Sequence, residues 1–529
     1  MNYLFLIIII RFFPRMASAT GTWTPDLDNG TYKNPIIYAD YSDPDVVRVG
    51  NDFYMTASSF NCFPALPILH SKDLVNWKII NHAIKSWPDD YFDLPQHGNG
   101  VWAPSLRYHD GLFWIFYGDP DLRIFMVKTQ DIDNDWEPPV LVKKAKGWID
   151  PCPLWDDDGQ AYLVHAFANS RAGVKSILHI NKMSPDGKRL LDEGTLVFDG
   201  HAHHPTIEGP KFYKMNGYYY IFAPAGGVPT GWQTVLRAKN VLGPYQDKIV
   251  LAQGNTPING PHQGGYIELE NGDGWFVHFQ DVDPYGRITH LQPVRWKDNW
   301  PIIGIDEDGD GVGEPVLQYQ KPFIKSKVPV QMPQSSDNFE SNFPGLQWQW
   351  HANPQKEWFE MEKNAFRLNS QLFPKDAANF WQVGNLFLQK FPAPEFTVTT
   401  KMDFYPKSVG EKAGLIVMGL DYAYIALERT SSGYEIVHVT CLKATERSSE
   451  KIIQKINLSK NAIYFRIQVK EKGLCTFLYS QNGKEYHSIG EIFPAQPGKW
   501  IGAKVGLFAV RPTSAKNGGH ANFEFFQVD

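Results

Sequence analysis

The chain has 529 residues, too many for one ordinary domain, so two domains are expected. Hydrophobic residues make up 43% and charged residues 20%, the balance of a globular protein with a large core. With 51 basic against 57 acidic residues the net charge is −6, too mild to point to nucleic acid or an anionic membrane as partner.

Residues 4–10 form an apolar run too short to span a bilayer, and Ala17-Ser18-Ala19 fits a small-residue cleavage site. Arg11 and Arg15 follow that run instead of preceding it. An export signal over 1–19, and with it a secreted or periplasmic location, is the expectation. No other stretch is long and apolar enough for a membrane helix.

A pattern then recurs five times: a short strand, a Gly/Asn/Asp turn, and an aromatic-rich strand. The copies are PDVVRVGNDFYMTAS, APSLRYHDGLFWIFYG, PCPLWDDDGQAYLVHAF, GPKFYKMNGYYYIFAPA and GGYIELENGDGWFVHFQ. Each reads as a β-hairpin. Turn glycines at 50, 111, 159, 217 and 274 set the spacing, and no helical periodicity intervenes. Five such units predict an all-β fold, a five-bladed β-propeller over residues 30–320. Residues 321–336, KPFIKSKVPVQMPQSS, have linker composition. From 337 to 529, runs such as FTVTTKMDFY and GLIVMGLDYAYIALE predict a jelly-roll, concanavalin-like β-sandwich.

The repeat also collects polar residues. Trp102, Asp150 and Glu208 each stand nine residues before a turn glycine; Gln263, with His262 beside it, stands nine before Gly272, and Asp43 nine before Asp52. Equivalent positions of a rotationally repeated fold ring one axis, so these five stretches are expected to build one site. Singly, Asp43-Pro44 and Asp150-Pro151 read as turn starters and Glu208 as a loop acid. Three acids in one repeat slot favour function. Converging carboxylates repel, so one keeps its proton, as glycoside hydrolysis requires; calcium binding by the same acids is the competing chemistry.

Asn34-Pro35 with SDPDVVRVGNDFYMTASSF, then VWAPS, WIDPCPLWDDDGQAYL, TIEGPKFYK, NGPHQGG and GRITHLQPVRW, strongly resemble glycoside hydrolase family 43, in its β-xylosidase and α-L-arabinofuranosidase branch. The C-terminal half resembles the sandwich appended in that branch. The resemblance implies an inverting, exo-acting enzyme that needs no cofactor and releases terminal arabinofuranose or xylose from plant poly- or oligosaccharides. It implies Asp43 as general base, Glu208 as general acid and Asp150 as the residue that tunes Glu208. It further implies Phe60 and Trp102 as sugar-stacking walls, Arg287 as a donor to sugar hydroxyls, and His262 as a substrate-site residue or the holder of a structural calcium on the propeller axis.

A non-catalytic sugar-binding propeller, an endo-acting arabinanase, and a retaining enzyme of fructosides or sialosides are the alternatives. The stretch 306–315, DEDGDGVGEP, begins like a calcium loop at Asp306, Asp308 and Asp310 but has Leu317 at position twelve, so an acidic turn is expected. Four cysteines are too few for a disulfide scaffold; one bridge per half and free buried thiols both stay open.

Overall fold

A computed structural model describes residues 22–529 apart from 89 and 326. The expected export signal lies outside those residues. Five four-stranded antiparallel sheets follow one another along the chain, spanning 45–84, 102–144, 148–199, 211–251 and 262–303. Each is a simple meander, one blade of the predicted propeller. The first strand of every blade borders the axis: residues 46–48, 107–109, 153–155, 212–215 and 266–268 surround one opening at its lower mouth.

Adjacent blades are joined by separate apolar clusters. Leu66, Ile68, Leu106 and Ile115 join blades 1 and 2, for example, and Ile267, Val277, Val46 and Met55 join blades 5 and 1. Burying each such side chain contributes about 1.5–3 kcal/mol. Ring closure is reinforced outside the blades, where Thr31–Lys33 pairs with Gln318–Gln320. The turn glycines at 50, 111, 159 and 217 all have positive φ, as a tight hairpin demands. In blade 5 that role falls to Gly272, whereas Gly274 already lies in the strand Gly274–Val282.

The C-terminal half is a sandwich of two eight-stranded sheets. Its strands include Phe396–Tyr405, Lys412–Met418 and Tyr422–Arg429, where alternating sequence placed them. Residues 321–336 run over blade 1: Lys321 pairs with Asp73, and Gln331 and Gln334 bond the backbone of Asn76 and Ile79. The sandwich is docked directly on the propeller. Asn61 Nδ2 donates to His351 O at 2.8 Å, Trp87 N to Asn353 Oδ1 at 2.7 Å, and Ala503 N to Pro284 O at 2.7 Å. All four cysteines are free and buried.

Candidate active site

At the upper mouth the innermost strands begin with an irregular step. Asp43, Ala103, Asp150, Gly209 and Gln263 all take left-handed φ values of 34–58°, and each precedes a proline or glycine. β-Bulges coincide with this step in blades 2, 3 and 5. Left-handed backbone is strained in non-glycine residues and persists where the surroundings over-determine it. The step turns the side chains of Asp43 and Asp150 toward the axis.

This geometry corrects the count by nine residues. Asp43 and Asp150 share their slot with Gly209, not Glu208. Glu208 stands one position earlier, as Trp102 does before Ala103 and His262 before Gln263. The spacing from this slot to the turn glycine is eight residues in blades 2 and 4 but nine in blades 3 and 5, so counting back nine mixed two adjacent rings.

The two rings meet in one pocket of about 130 Å³, lined by Asp43, Asp150, Glu208, Phe60, Trp102 and Arg287 among others. At ~30 Å³ per liquid water, it holds a few waters or a single sugar ring. Asp43 is 5% exposed. Its Oδ2 accepts the hydroxyls of Ser42 at 2.7 Å and Ser58 at 2.6 Å, and Arg287 Nη1 reaches both oxygens at 3.2 and 3.3 Å. Oδ1 is thus the less committed oxygen. Ser58 Oγ also accepts the N–H of Ala103 at 2.7 Å, tying blade 1 to blade 2.

Asp150 is 3% exposed, and its Oδ2 accepts the N–H of Gly209 at 2.7 Å. Burial, then Glu208, then Asp43 push its carboxyl well above the usual carboxylate range, against the Gly209 bond and Lys211. Glu208 is the acid that solvent reaches, its side chain 27% exposed. Its Oε1 faces His262 Nε2 at 3.2 Å.

Phe60 and Trp102 form one wall, their rings edge-to-face at 6.1 Å. Trp102 Nε1 is anchored on Gly98 O at 2.9 Å. Arg287 Nη1 is committed to Asp43 and to Ser42 Oγ at 2.7 Å, so its first effect is to hold the Asp43 carboxylate. Ser42, Ser58 and Asp40 escaped the sequence reading, although Ser42 and Asp40 flank Asp43 closely enough to be weighed with it. Trp500 escaped it too. It comes from the sandwich, lines the same pocket and packs edge-to-face on Trp102 at 6.2 Å. Nothing in its local sequence marks it, because its partner lies 398 positions away in the chain.

Among the described residues, no cluster of three or more His, Cys, Asp or Glu ligands gathers at the axis for the expected calcium. His262 is buried, with Nε2 turned to Glu208 at 3.2 Å and Nδ1 without a protein partner. Asp45, two residues after Asp43, accepts the N–H groups of Val46 and Leu106 and Arg107 Nη1 at 2.8 Å. At 306–310 the three aspartates bring oxygens within 4.8 Å of one another, but they cap their own turn: Asp306 accepts the N–H of Gly309 and Gly311, and Asp310 that of Val312.

A five-bladed propeller with a buried acid, a solvent-reaching acid and an arginine-held carboxylate around one axial pocket defines a propeller glycosidase. Residues 32–301 match the model of glycosyl hydrolases family 43, and 336–529 match that of the β-xylosidase C-terminal concanavalin A-like domain. The chain belongs to glycoside hydrolase family 43. It is 38% identical over 91% of its length to a putative β-xylosidase of Xylanibacter ruminicola, covering 86% of that protein. It is 31% identical over 96% of its length to a β-xylosidase of Formosa agariphila, covering 92% of that protein. A solved family 43 structure from Bacillus licheniformis superimposes with a TM-score of 0.81 at 26% identity, with 94% of this chain and 99% of that one covered.

Proposed function

We propose that this glycosidase is exo-acting and inverting and releases terminal β-D-xylose or α-L-arabinofuranose from plant cell-wall glycans. The observation that carries the reading is that Asp43 and Glu208 line one small pocket from blades 1 and 4, which are not neighbours. That origin favours a separation with room for a water beside a sugar ring. In an inverting site the two carboxyls stand ~6.5–9.5 Å apart for that reason.

In this reading Asp43, paired with Arg287, takes a proton from water through Oδ1 as the water attacks the anomeric carbon. Glu208 gives its proton to the leaving oxygen. Asp150, buried and bonded to the backbone N–H of Gly209 next to Glu208, orients that acid. Trp500, which lines the pocket from the sandwich and packs on Trp102, supports the exo assignment.

The relatives named as β-xylosidases favour xylosides, while one 28% identical over 96% of this chain is named a non-reducing end α-L-arabinofuranosidase, from Bacteroides ovatus. The leader-like segment 1–19 supports action in the periplasm or outside the cell.

A panel of aryl β-D-xylosides, aryl α-L-arabinofuranosides and internal arabinan, run with Asp43→Ala and Glu208→Ala controls, tests the reading. Turnover of either pentoside, lost in both variants, is expected. Turnover of arabinan alone would refute the exo assignment, and sugar binding without turnover would make the chain a binding protein.

A further inference from the structure

Strand alternation places a second ring two residues below the Asp43 slot. Its members are Asp45, Ser105, Cys152, Lys211 and Gly265, one from each blade and all buried. Lys211 is fully buried. From blade 4 its Nζ donates to Pro104 O at 2.7 Å and Ser105 Oγ at 2.9 Å, both in blade 2, and lies 3.7 Å from Asp45 Oδ2 in blade 1. Blade 4 neighbours only blades 3 and 5, so these contacts cross the axis. The ammonium therefore sits at the centre of the propeller.

The rest of the ring is fitted around it. Asp45 bridges Lys211 to Arg107, and Arg107 Nη2 in turn reaches Cys152 Sγ at 2.8 Å. Cys152 also accepts the N–H of Phe212 at 3.2 Å. Blade 5 contributes glycine, because a Cβ on Gly265 would stand 2.7 Å from Asp45 Oδ1.

We propose that Lys211 is a positioning residue of the acid pocket: a built-in cation on the propeller axis that does the work a divalent ion would do in offsetting the converging carboxylates. The inference rests on the acid–base reading above. Asp43, Asp150 and Glu208 gather at the upper end of the axis; the titratable and charged groups facing them or the ring below include the acids Asp40, Asp45 and Asp281, Tyr213 and Cys152, and the basic groups Arg287, His262, Arg107 and Lys211. Arg287 is spent on Asp43, and Arg107 on Asp45 and Cys152. Lys211 is the central charge of the set, and it opposes the burial and like-charge repulsion that act on Asp150.

It also reaches Asp43 mechanically. Pro104 follows Ala103, whose N–H holds Ser58, whose hydroxyl holds Asp43. Two oxygen acceptors and a carboxylate 3.7 Å away supply the partners that a buried ammonium needs.

The test is the pH dependence of kcat/KM on an aryl pentoside for wild type and Lys211→Gln, with the wild type also assayed after EDTA treatment and after added calcium. Glutamine can still donate to Pro104 and Ser105 but carries no charge. Removing the cation makes every nearby carboxyl harder to ionise. Both limbs should therefore move up by about half a pH unit or more, with kcat falling about tenfold and KM nearly unchanged. The wild type should be indifferent to EDTA and calcium.

A folded Lys211→Gln enzyme whose profile overlays the wild type overturns the proposal. So does loss of wild-type activity in EDTA that calcium restores, an arm that decides even where the variant does not fold. An inactive wild type would sink the acid–base reading and this inference together, whereas an active wild type with an unshifted variant sinks the inference alone.

Discussion

Asp40 ties Gly502 of the sandwich to the propeller site: its Oδ2 accepts the Gly502 N–H at 3.1 Å, while its Oδ1 accepts the backbone N–H of Arg287 at 2.9 Å. One carboxylate thus fixes both the arginine behind Asp43 and the loop that presents Trp500. The two domains build one pocket, and the sandwich is part of the catalytic unit. Trp500→Ala should raise KM about five- to tenfold with kcat within about twofold, as expected for losing an aromatic contact of about 1 kcal/mol. Steady-state kinetics on aryl pentosides checks this. A fall in kcat alone would place Trp500 outside the sugar site.

Glu208→Gln removes the proton donor while keeping the shape of the site. General acid catalysis is worth about 10²–10⁴-fold, and it matters most for leaving groups that depart poorly. The variant should lose about that factor on xylobiose or an alkyl pentoside and far less on a dinitrophenyl pentoside. Equal losses on both would remove Glu208 from the acid role.

Arg287→Met leaves Asp43 with two hydroxyl donors and no cation. Ionising a nearly buried carboxylate then costs more, so the acidic limb of kcat/KM should move up, with about a tenfold loss at neutral pH. An unmoved limb together with a raised KM would instead make Arg287 chiefly a sugar contact.

The fold was legible because its signals are local. Each hairpin carries its own turn and alternation, and linker composition marks where the propeller stops. The acids were legible because the repeat projects distant residues onto one axis. What the repeat could not supply was the register to one residue: an extra residue between Asp150 and Gly159, compared with Gly209 and Gly217, hid the fact that Glu208 stands one position before the Asp43 slot. Trp500 was silent for another reason, since its role exists only where the sandwich docks on the propeller. His262 shows the limit of a resemblance. The residue is where the family places it, but its Nε2 is turned to Glu208 and no cluster of acid ligands gathers beside it among the described residues.

Stability should fall steeply in mild acid. Burial holds His82 and His165 at about 3, and His97, His278 and His438 at about 4. In the unfolded chain these rings protonate near 6.5. Between those values the unfolded chain binds more protons, so the stability these histidines allow above about pH 6.5 is lost as pH falls toward 4. Asp119 has the opposite sign: burial raises it to about 7, so its contribution is full below about pH 4 and is lost as pH rises to 7. Five histidines outweigh it. Thermal unfolding from pH 4 to 8 should show Tm dropping below pH 6.5, and Asp119→Asn should raise Tm at pH 8 relative to its value at pH 5. A flat profile would contradict both assignments.

Proton NMR of the sugar first released from each pentoside asks most directly whether Asp43 activates water while Glu208 protonates the leaving oxygen. Single displacement predicts α-xylose from a β-D-xyloside, and the β-anomer of arabinose from an α-L-arabinofuranoside, before mutarotation mixes the signals. Initial release of the same anomer as the substrate would require a covalent intermediate on the enzyme and would contradict the account.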